Sequence, residues 1–257
     1  MITTTVYRQL WPIPFILLLL TQAINAQQDD YKRKFKDVQP TRCDKVYLRR
    51  TTQFRQSNKT VKPGGVVLLG DSITQAFPQQ NCPKEWNLNA RGISGDGIGG
   101  STFRGLINRL NISCHDLKPS VVFIKIGIND IIQWNPTPPQ SPEKLRLETM
   151  REVIQNIKNN NPGVSIYITS VLPTRKRDNS RGAKLKFESY NPTIINYNNK
   201  LQALAKETKC SYFDLHSKFY DTQKKELKAT YTKDGVHLTK AGYDLWITEL
   251  KKIIPKK

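Results

Sequence analysis

Val66-Val67-Leu68-Leu69-Gly70-Asp71-Ser72-Ile73-Thr74 is the stretch that decides the fold. Its first four residues are an unbroken apolar run of strand length, the pattern of a strand buried on both faces. A helix over about 73–79 follows at once, so Ser72 is expected on a sharp strand-to-helix turn, its hydroxyl at the edge of a sheet. Working outward, further strands are expected at Trp86–Asn89, Val121–Ile126, Val164–Thr169 and Ser211–Asp214. Helices are expected between them near 99–110, 142–158 and 193–207, with a last one near 239–253. Thr239 is a suitable N-cap for that last helix, and Leu245, Trp246, Leu250 and Ile253 give it one apolar face. This alternation implies an α/β fold: a mostly parallel five-stranded sheet with helices on both faces, in three layers. No internal repeat and no second domain are evident.

In parallel α/β sheets, sites gather at the carboxyl ends of the strands. Ser72 is there, and so are Gly95, in Gly92-Ile93-Ser94-Gly95-Asp96, and Asn129, in Gly127-Ile128-Asn129-Asp130. Far downstream comes Asp234-Gly235-Val236-His237. A serine hydroxyl is a poor nucleophile until a base takes its proton. Of the three histidines, only His237 has an aspartate three residues before it in a turn-like segment. That spacing lets Asp234 hold the far ring nitrogen and fix the tautomer. His115 and His216 read as surface or packing residues. Charge developing on an oxygen needs aimed donors. The backbone N–H of Ser72 at the positive end of its helix, the N–H of Gly95 and the amide of Asn129 are three candidates.

Two other patterns lead nowhere. Gly95-Asp96-Gly97-Ile98-Gly99-Gly100 matches a dinucleotide loop in form, but the acid required at the end of the next strand is missing, because Val121–Ile126 runs into Gly127-Ile128-Asn129. There is no Gly-x-Ser-x-Gly elbow, which argues against the α/β-hydrolase fold.

On these residues the chain resembles the SGNH hydrolases, also called GDSL esterases/lipases, and among them is similar to the catalytic subunits of platelet-activating-factor acetylhydrolase and related bacterial-type esterases. The matching blocks are Gly70-Asp71-Ser72-Ile73, Asn89-Ala90-Arg91-Gly92-Ile93-Ser94-Gly95-Asp96, Gly127-Ile128-Asn129-Asp130 and Asp234-Gly235-Val236-His237-Leu238. The resemblance implies a flavodoxin-like α/β/α sandwich and a catalytic triad of Ser72, His237 and Asp234. It also implies an oxyanion hole of Ser72, Gly95 and Asn129, no metal or organic cofactor, and hydrolysis of fairly small acyl esters. Ala90 is a departure, an extra residue where many relatives run directly from Asn to Arg, and would shift the end of the second strand by one.

The N-terminus has the form of a secretory leader: Arg8, an apolar run from Trp11 to Leu20, and a small-residue cleavage site ending at Ala26. Residues 27–63 are basic and partly flexible by composition, with a short helix expected over 44–56 through Val46, Tyr47 and Phe54. The catalytic domain is expected over 64–257. Secretion fits the cysteines, Cys43, Cys82, Cys114 and Cys210, which are even in number and lack metal spacing. The expected bridges are Cys82–Cys114 and Cys43–Cys210, near the amino ends of the strands. Asn58 and Asn111 begin glycosylation sequons.

With 41 Lys and Arg against 21 Asp and Glu, the net charge is +20. Such a balance favours anionic partners: acidic glycans, phospholipid headgroups or bacterial envelopes. The chain carries no nucleic-acid motif, and after the leader no hydrophobic run suits a membrane span. Within the basic stretch 174–187, Arg175, Arg177 and Lys184 are candidate contacts to an acidic substrate. The sequence leaves oligomeric state open. The competing reading is a secreted binding protein that uses its basic surface without turnover.

Overall fold

The computed structural model describes residues 42–99, 104–132, 143–178, 184–185 and 187–254, with the backbone alone at 177–178, 184–185 and 187. The leader, the basic segment up to Thr41, Gly100 of the glycine run, and the side chains of Arg177 and Lys184 lie outside what is described. A compact unit begins at Arg42, so the helix ahead of the expected catalytic domain packs with it. The short helix of the basic segment is longer than its composition suggested and is packed in place by Tyr47 and Phe54.

In chain order the elements are α1 (Arg42–Asn58), β1 (Val66–Gly70), α2 (Ser72–Gln75), β2 (Asn89–Gly92), α3 (Leu110–Ser113), β3 (Val121–Lys125) and α4 (Ile128–Ile131). There follow α5 (Glu143–Asn160), β4 (Ser165–Thr169), α6 (Asn191–Glu207), β5 (Ser211–Phe213), α7 (His216–Phe219) and α8 (Lys240–Lys251). Two-residue ribbons pair Arg177–Asp178 with Lys184–Leu185, and Tyr220–Asp221 with Glu226–Leu227. The five strands form one sheet, every pair parallel, in the order β2-β1-β3-β4-β5. The α/β/α architecture expected from the sequence is the one found.

Because crossovers are right-handed, the step from β1 to β2 passes over one face and the three steps in the other direction pass over the opposite face. α2 therefore shares a face with α8, where Phe77 meets Trp246 edge-on at 4.9 Å. The second face carries α3, α5 and α6, and α1 packs against α3. β1 is buried at every position. On the sheet, Phe123 stacks on Tyr167 at 4.7 Å and meets Phe213 edge-on at 5.7 Å. Burying one such aromatic ring stabilises the fold by about 2–3 kcal/mol.

β2 lies three residues later than expected. Trp86, read as a strand residue, is buried in a 3-10 turn that ends at Asn87 in the left-handed region, φ 44°. What places the strand is pairing with β1, from Val67 opposite Asn89 to Gly70 opposite Gly92. Ala90 sits opposite Leu68 in that unbroken register, so it is taken up in the strand without a bulge. Gly92 is needed for the next contact: a Cβ there would lie 2.0 Å from the backbone nitrogen of Gln75, so α2 packs directly on β2.

The expected disulfides are not formed, and all four cysteines are free thiols. Cys82 lies on the α8 face, where Lys251 acts on it, whereas Cys114 ends α3 on the opposite face, so the sheet separates them. Cys43 rests against Gly95 at the carboxyl edge, while Cys210 precedes β5 at the amino edge. The first expected pairing ignored which face each segment occupies, and the second placed Cys43 at the wrong edge of the sheet.

Candidate active site

Asp71 and Lys125 set the end of β1. Lys125 ends an otherwise apolar strand, and its Nζ lies 3.5 Å from the Asp71 carboxylate, both side chains fully enclosed. Asp71 also caps α2, its Oδ1 accepting from the Ile73 N–H at 2.9 Å. α8 ties to the same turn through Tyr243, whose hydroxyl donates to the Ile73 carbonyl at 2.9 Å. Ser72 is thus held between two anchored residues, half-buried at the carboxyl end of β1.

The acid–base segment lies across from it. Thr232 Oγ1 donates to the His237 carbonyl at 2.9 Å and accepts from the Gly235 N–H at 2.9 Å. The Gly235 carbonyl accepts from the Arg175 N–H at 2.8 Å. Arg175 belongs to the loop after β4, which α6 holds through Asn191 and Asn198, each bonding one loop residue's N–H and C=O at 2.8 and 2.9 Å.

Together these supports bring Ser72, His237 and Asp234 into one hydrogen-bonded line. Ser72 Oγ lies 2.9 Å from His237 Nε2, and His237 Nδ1 lies 2.6 Å from Asp234 Oδ2. An ionised carboxylate can only accept, so in the neutral imidazole Nδ1 carries the hydrogen and Nε2 accepts from the serine. Burial alone would raise the Asp234 pKa. Bonds from the imidazole and from the N–H groups of His237 and Val236 outweigh it and hold the carboxyl well below the usual carboxylate range. His237 keeps 43% of its side chain exposed, enough for its Nε2 to meet a bound ester. The arrangement can deprotonate Ser72 as it attacks and return the proton to a leaving group.

Gly95 lies in the turn after β2, and Asn129 lies in α4 just after β3. The Asn129 amide donates one hydrogen to the Asp96 carbonyl at 2.8 Å, which fixes its orientation and leaves its second N–H to point elsewhere. Gly95 has φ +75°, in the left-handed region. A Cβ at this position would also lie 2.9 Å from Cys43 Sγ. Gly95→Ala is therefore expected to lower kcat by about 10-fold or more by turning its N–H away. Esterase assays on a variant with an unchanged unfolding midpoint check this, and full activity would show that the N–H is not used.

Sequence reasoning missed the residue that joins these loops. Arg109, 1% exposed, bonds Asp96 Oδ2 at 2.7 Å, the Arg91 carbonyl at 2.9 Å, Ser113 Oγ at 3.0 Å and the Gly70 carbonyl at 2.8 Å. One guanidinium thus links the end of β1, β2 and the Gly95 loop. It stood inside a helix expected over 99–110, where an arginine reads as a solvated side chain. Lys125 did carry a signal, since a charge closing an apolar strand needs a buried partner.

Asp130 was quoted only as part of a motif, yet its carboxylate accepts from the Ile98 N–H at 3.2 and 3.3 Å. Burial pushes it up to about 7, against the Ile98 bond and Arg146, with Asp96 and Asp71 adding to the rise. Its unfolded value is about 4. The folded protein therefore holds an extra proton between these values, and this group's contribution to stability falls as pH rises through that window. Asp130→Asn removes the slope. In urea titrations its stability relative to the parent is expected to rise by about 2 kcal/mol from pH 5 to pH 8, and a constant difference would contradict it.

Of the other expected site residues, Arg175 is committed to an ion pair with Glu226. Asn111 is exposed. Asn58 is engaged through both side-chain atoms: Oδ1 accepts from Arg91 at 2.8 Å and Nδ2 donates to the Ile112 carbonyl at 2.8 Å. A glycan on that nitrogen would displace the second bond. Among the described residues no group of three His, Cys, Asp or Glu side chains is placed to hold a metal ion. Among them, too, no helix is long and apolar enough to cross a membrane.

Solved structures share the fold. A Streptococcus pneumonia protein provisionally described as platelet activating factor is 24% identical, with a TM-score of 0.68, over 90% of this chain and 98% of that one. A GDSL-like lipase from Bacteroides thetaiotaomicron is 23% identical at a TM-score of 0.64, over 79% of this chain and 95% of that one. The acetyl xylan esterase AlAXEase is 22% identical at a TM-score of 0.59, over 74% of this chain and 100% of that one. No curated protein matches the chain. The sequence profile of the GDSL-like lipase/acylhydrolases matches residues 68–245, a span that takes in the Ser72 turn, both following loops and the Asp234–His237 segment, and the chain belongs to that family of carboxylic-ester hydrolases.

Proposed function

We propose that the protein is a secreted serine esterase that removes short acyl groups, acetyl first among them, from an alcohol carried on an anionic molecule. The observation that carries this reading is the unbroken line from Ser72 Oγ through His237 to Asp234. Ser72 Oγ attacks the ester carbonyl while its proton passes to His237 Nε2. The carbonyl oxygen becomes an oxyanion, met by the N–H groups of Ser72 and Gly95 and the second amide hydrogen of Asn129. Collapse breaks the bond to the alcohol, which leaves with the proton from His237, and Ser72 is left acylated. Water, deprotonated by His237, attacks the acyl carbon. The acid leaves, and Ser72 recovers its proton. Each oxyanion donor contributes about 3 kcal/mol to the transition state.

An acetyl ester on carbohydrate is the first substrate class, in keeping with the acetyl xylan esterase among the similar structures. A lysophospholipid-type ester is the second. The net charge of +20 favours an acidic carrier in either case. Arg175, held by Glu226, is a poor candidate for gripping it. Export rests on the leader-like residues 1–26. Hydrolysis of 4-nitrophenyl esters from acetyl to octanoyl tests the proposal. Turnover is expected to fall with chain length, and no turnover at any length would overturn it.

A further inference from the structure

α1, residues 42–58, lies outside the matched family span, 68–245, yet its inward side chains converge on the loop that carries Gly95. Tyr47 and Phe54 form with Ile93 a small apolar cluster distinct from the main core. Arg50 Nε and Nη2 each reach the Gly92 carbonyl at 3.3 Å. The guanidinium groups of Arg50 and Arg91 each lie 4.8 Å from the centre of the Phe54 ring. Cys43 packs onto Gly95 itself. Asp44 pairs at 2.7 Å with Arg104, whose Nη1 lies 3.5 Å from the Gly95 carbonyl. From the inner side, Ile93 N–H bonds the Gly70 carbonyl at 3.1 Å, and Ser94 N–H bonds Gln75 Oε1 at 2.9 Å. The loop is gripped from both sides.

The arginine stack is not a low-cost way to pack a helix. Burial lowers the Arg50 pKa, as do Arg109 and Arg49, and burial with Arg50 pushes Arg91 down to about 10. An apolar side chain at position 50 would cover Phe54 without bringing like charges together. What Arg50 adds is a pair of N–H donors on a carbonyl three residues before Gly95.

We infer that α1 is a clamp on the oxyanion loop and that Arg50 is its positioning residue: by fixing the Gly92 carbonyl it sets the turn that aims the Gly95 N–H. The inference rests on the esterase reading of the site, with Gly95 as an oxyanion donor. A clamp of this kind acts on the transition state and leaves ground-state binding and the acid–base pair alone.

The test compares variants of the full chain on 4-nitrophenyl acetate. Arg50→Ala is expected to lower kcat by about 10-fold with KM and the pH midpoint of kcat unchanged, since misplacing a donor weakens catalysis without touching His237. Arg50→Lys, which keeps one donor, recovers part of the loss. Phe213→Leu thins the main core at the sheet, away from α1 and the Gly95 loop, and is expected to lower the unfolding temperature while keeping kcat. Phe54→Leu, which removes the ring but keeps the packing, reproduces the Arg50→Ala pattern in milder form and carries the test should Arg50→Ala not fold. Parental kcat in both Arg50→Ala and Phe54→Leu, measured well below their unfolding temperatures, would overturn the clamp. So would an equal loss of kcat in Phe213→Leu, since a general loss of stability would then explain both. A Ser72→Ala variant that still turns over would overturn the esterase reading instead, whatever the Arg50 variants do.

Discussion

Ser72→Ala is expected to lower kcat for a short-chain ester on the order of 10⁵-fold, with little change in stability. The magnitude follows from what is lost: the acyl-enzyme route disappears, and His237 has no hydroxyl to activate. The protein is not expected to become inert. On the proposed function the Gly95 and Asn129 donors would still face a bound ester, and such donors alone sustain a residual rate above that in water. Because the three side chains work as one device, Ser72→Ala combined with His237→Ala is expected to be no slower than Ser72→Ala alone. Stability is spared because Ser72 is half-buried and its side chain makes one hydrogen bond, to a partly exposed histidine. Steady-state assays beside thermal unfolding check both halves. A Ser72→Ala variant within 10-fold of the parent, on the order of 1 kcal/mol in the barrier, would contradict the account.

The second large effect is structural. Arg109→Met is expected to destabilise the protein by about 3–5 kcal/mol, the cost of breaking a buried ion pair from one side. For a domain of this size that is a fall of roughly 10 °C in unfolding temperature. Arg109 and Asp96 both have side chains fully shielded from solvent, so removing the guanidinium leaves a buried carboxylate without its cation, takes a donor from the Arg91 carbonyl, and leaves the Gly70 carbonyl with the Ile93 N–H. Activity is expected to fall as well, because the Asp96 carbonyl orients Asn129. Changing Asp96 to Asn in the same chain is expected to restore part of the stability, since no charge is then left unpaired. Additive losses in that double variant would mean that the pair is not the source of the effect.

The order of elements and the meeting of Ser72, His237 and Asp234 were legible because each is written locally. A buried strand, a serine and a helix are adjacent in Val66–Thr74, and the Asp234–His237 spacing is a property of one turn. Asn129 and Gly95 could be placed because the carboxyl ends of parallel strands point the same way. What was not legible depends on which segments meet. Arg109 looks like any polar residue of a helix until the Gly70 carbonyl, the Arg91 carbonyl and Asp96 surround it. β2 was misplaced because Asn89-Ala90-Arg91-Gly92 has weak strand propensity and is held by its register with β1. The expected cysteine pairs differ from the structure for the same reason: Cys82 and Cys114 lie on opposite faces of the sheet, and Cys43 lies at the edge opposite Cys210. Phe54 read only as a packing residue and Arg50 gave no hint of a role, since a basic helix ahead of a domain usually serves solubility.

The central claim is that Ser72 is a nucleophile activated by His237. The most direct measurement is the reaction of the intact protein with a fluorophosphonate, followed by mass spectrometry of the labelled peptide. The account predicts one adduct per chain, on Ser72, formed at a rate that collapses in His237→Ala. A protein that hydrolyses esters while Ser72 stays unlabelled, or that carries its adduct on another residue, would contradict it.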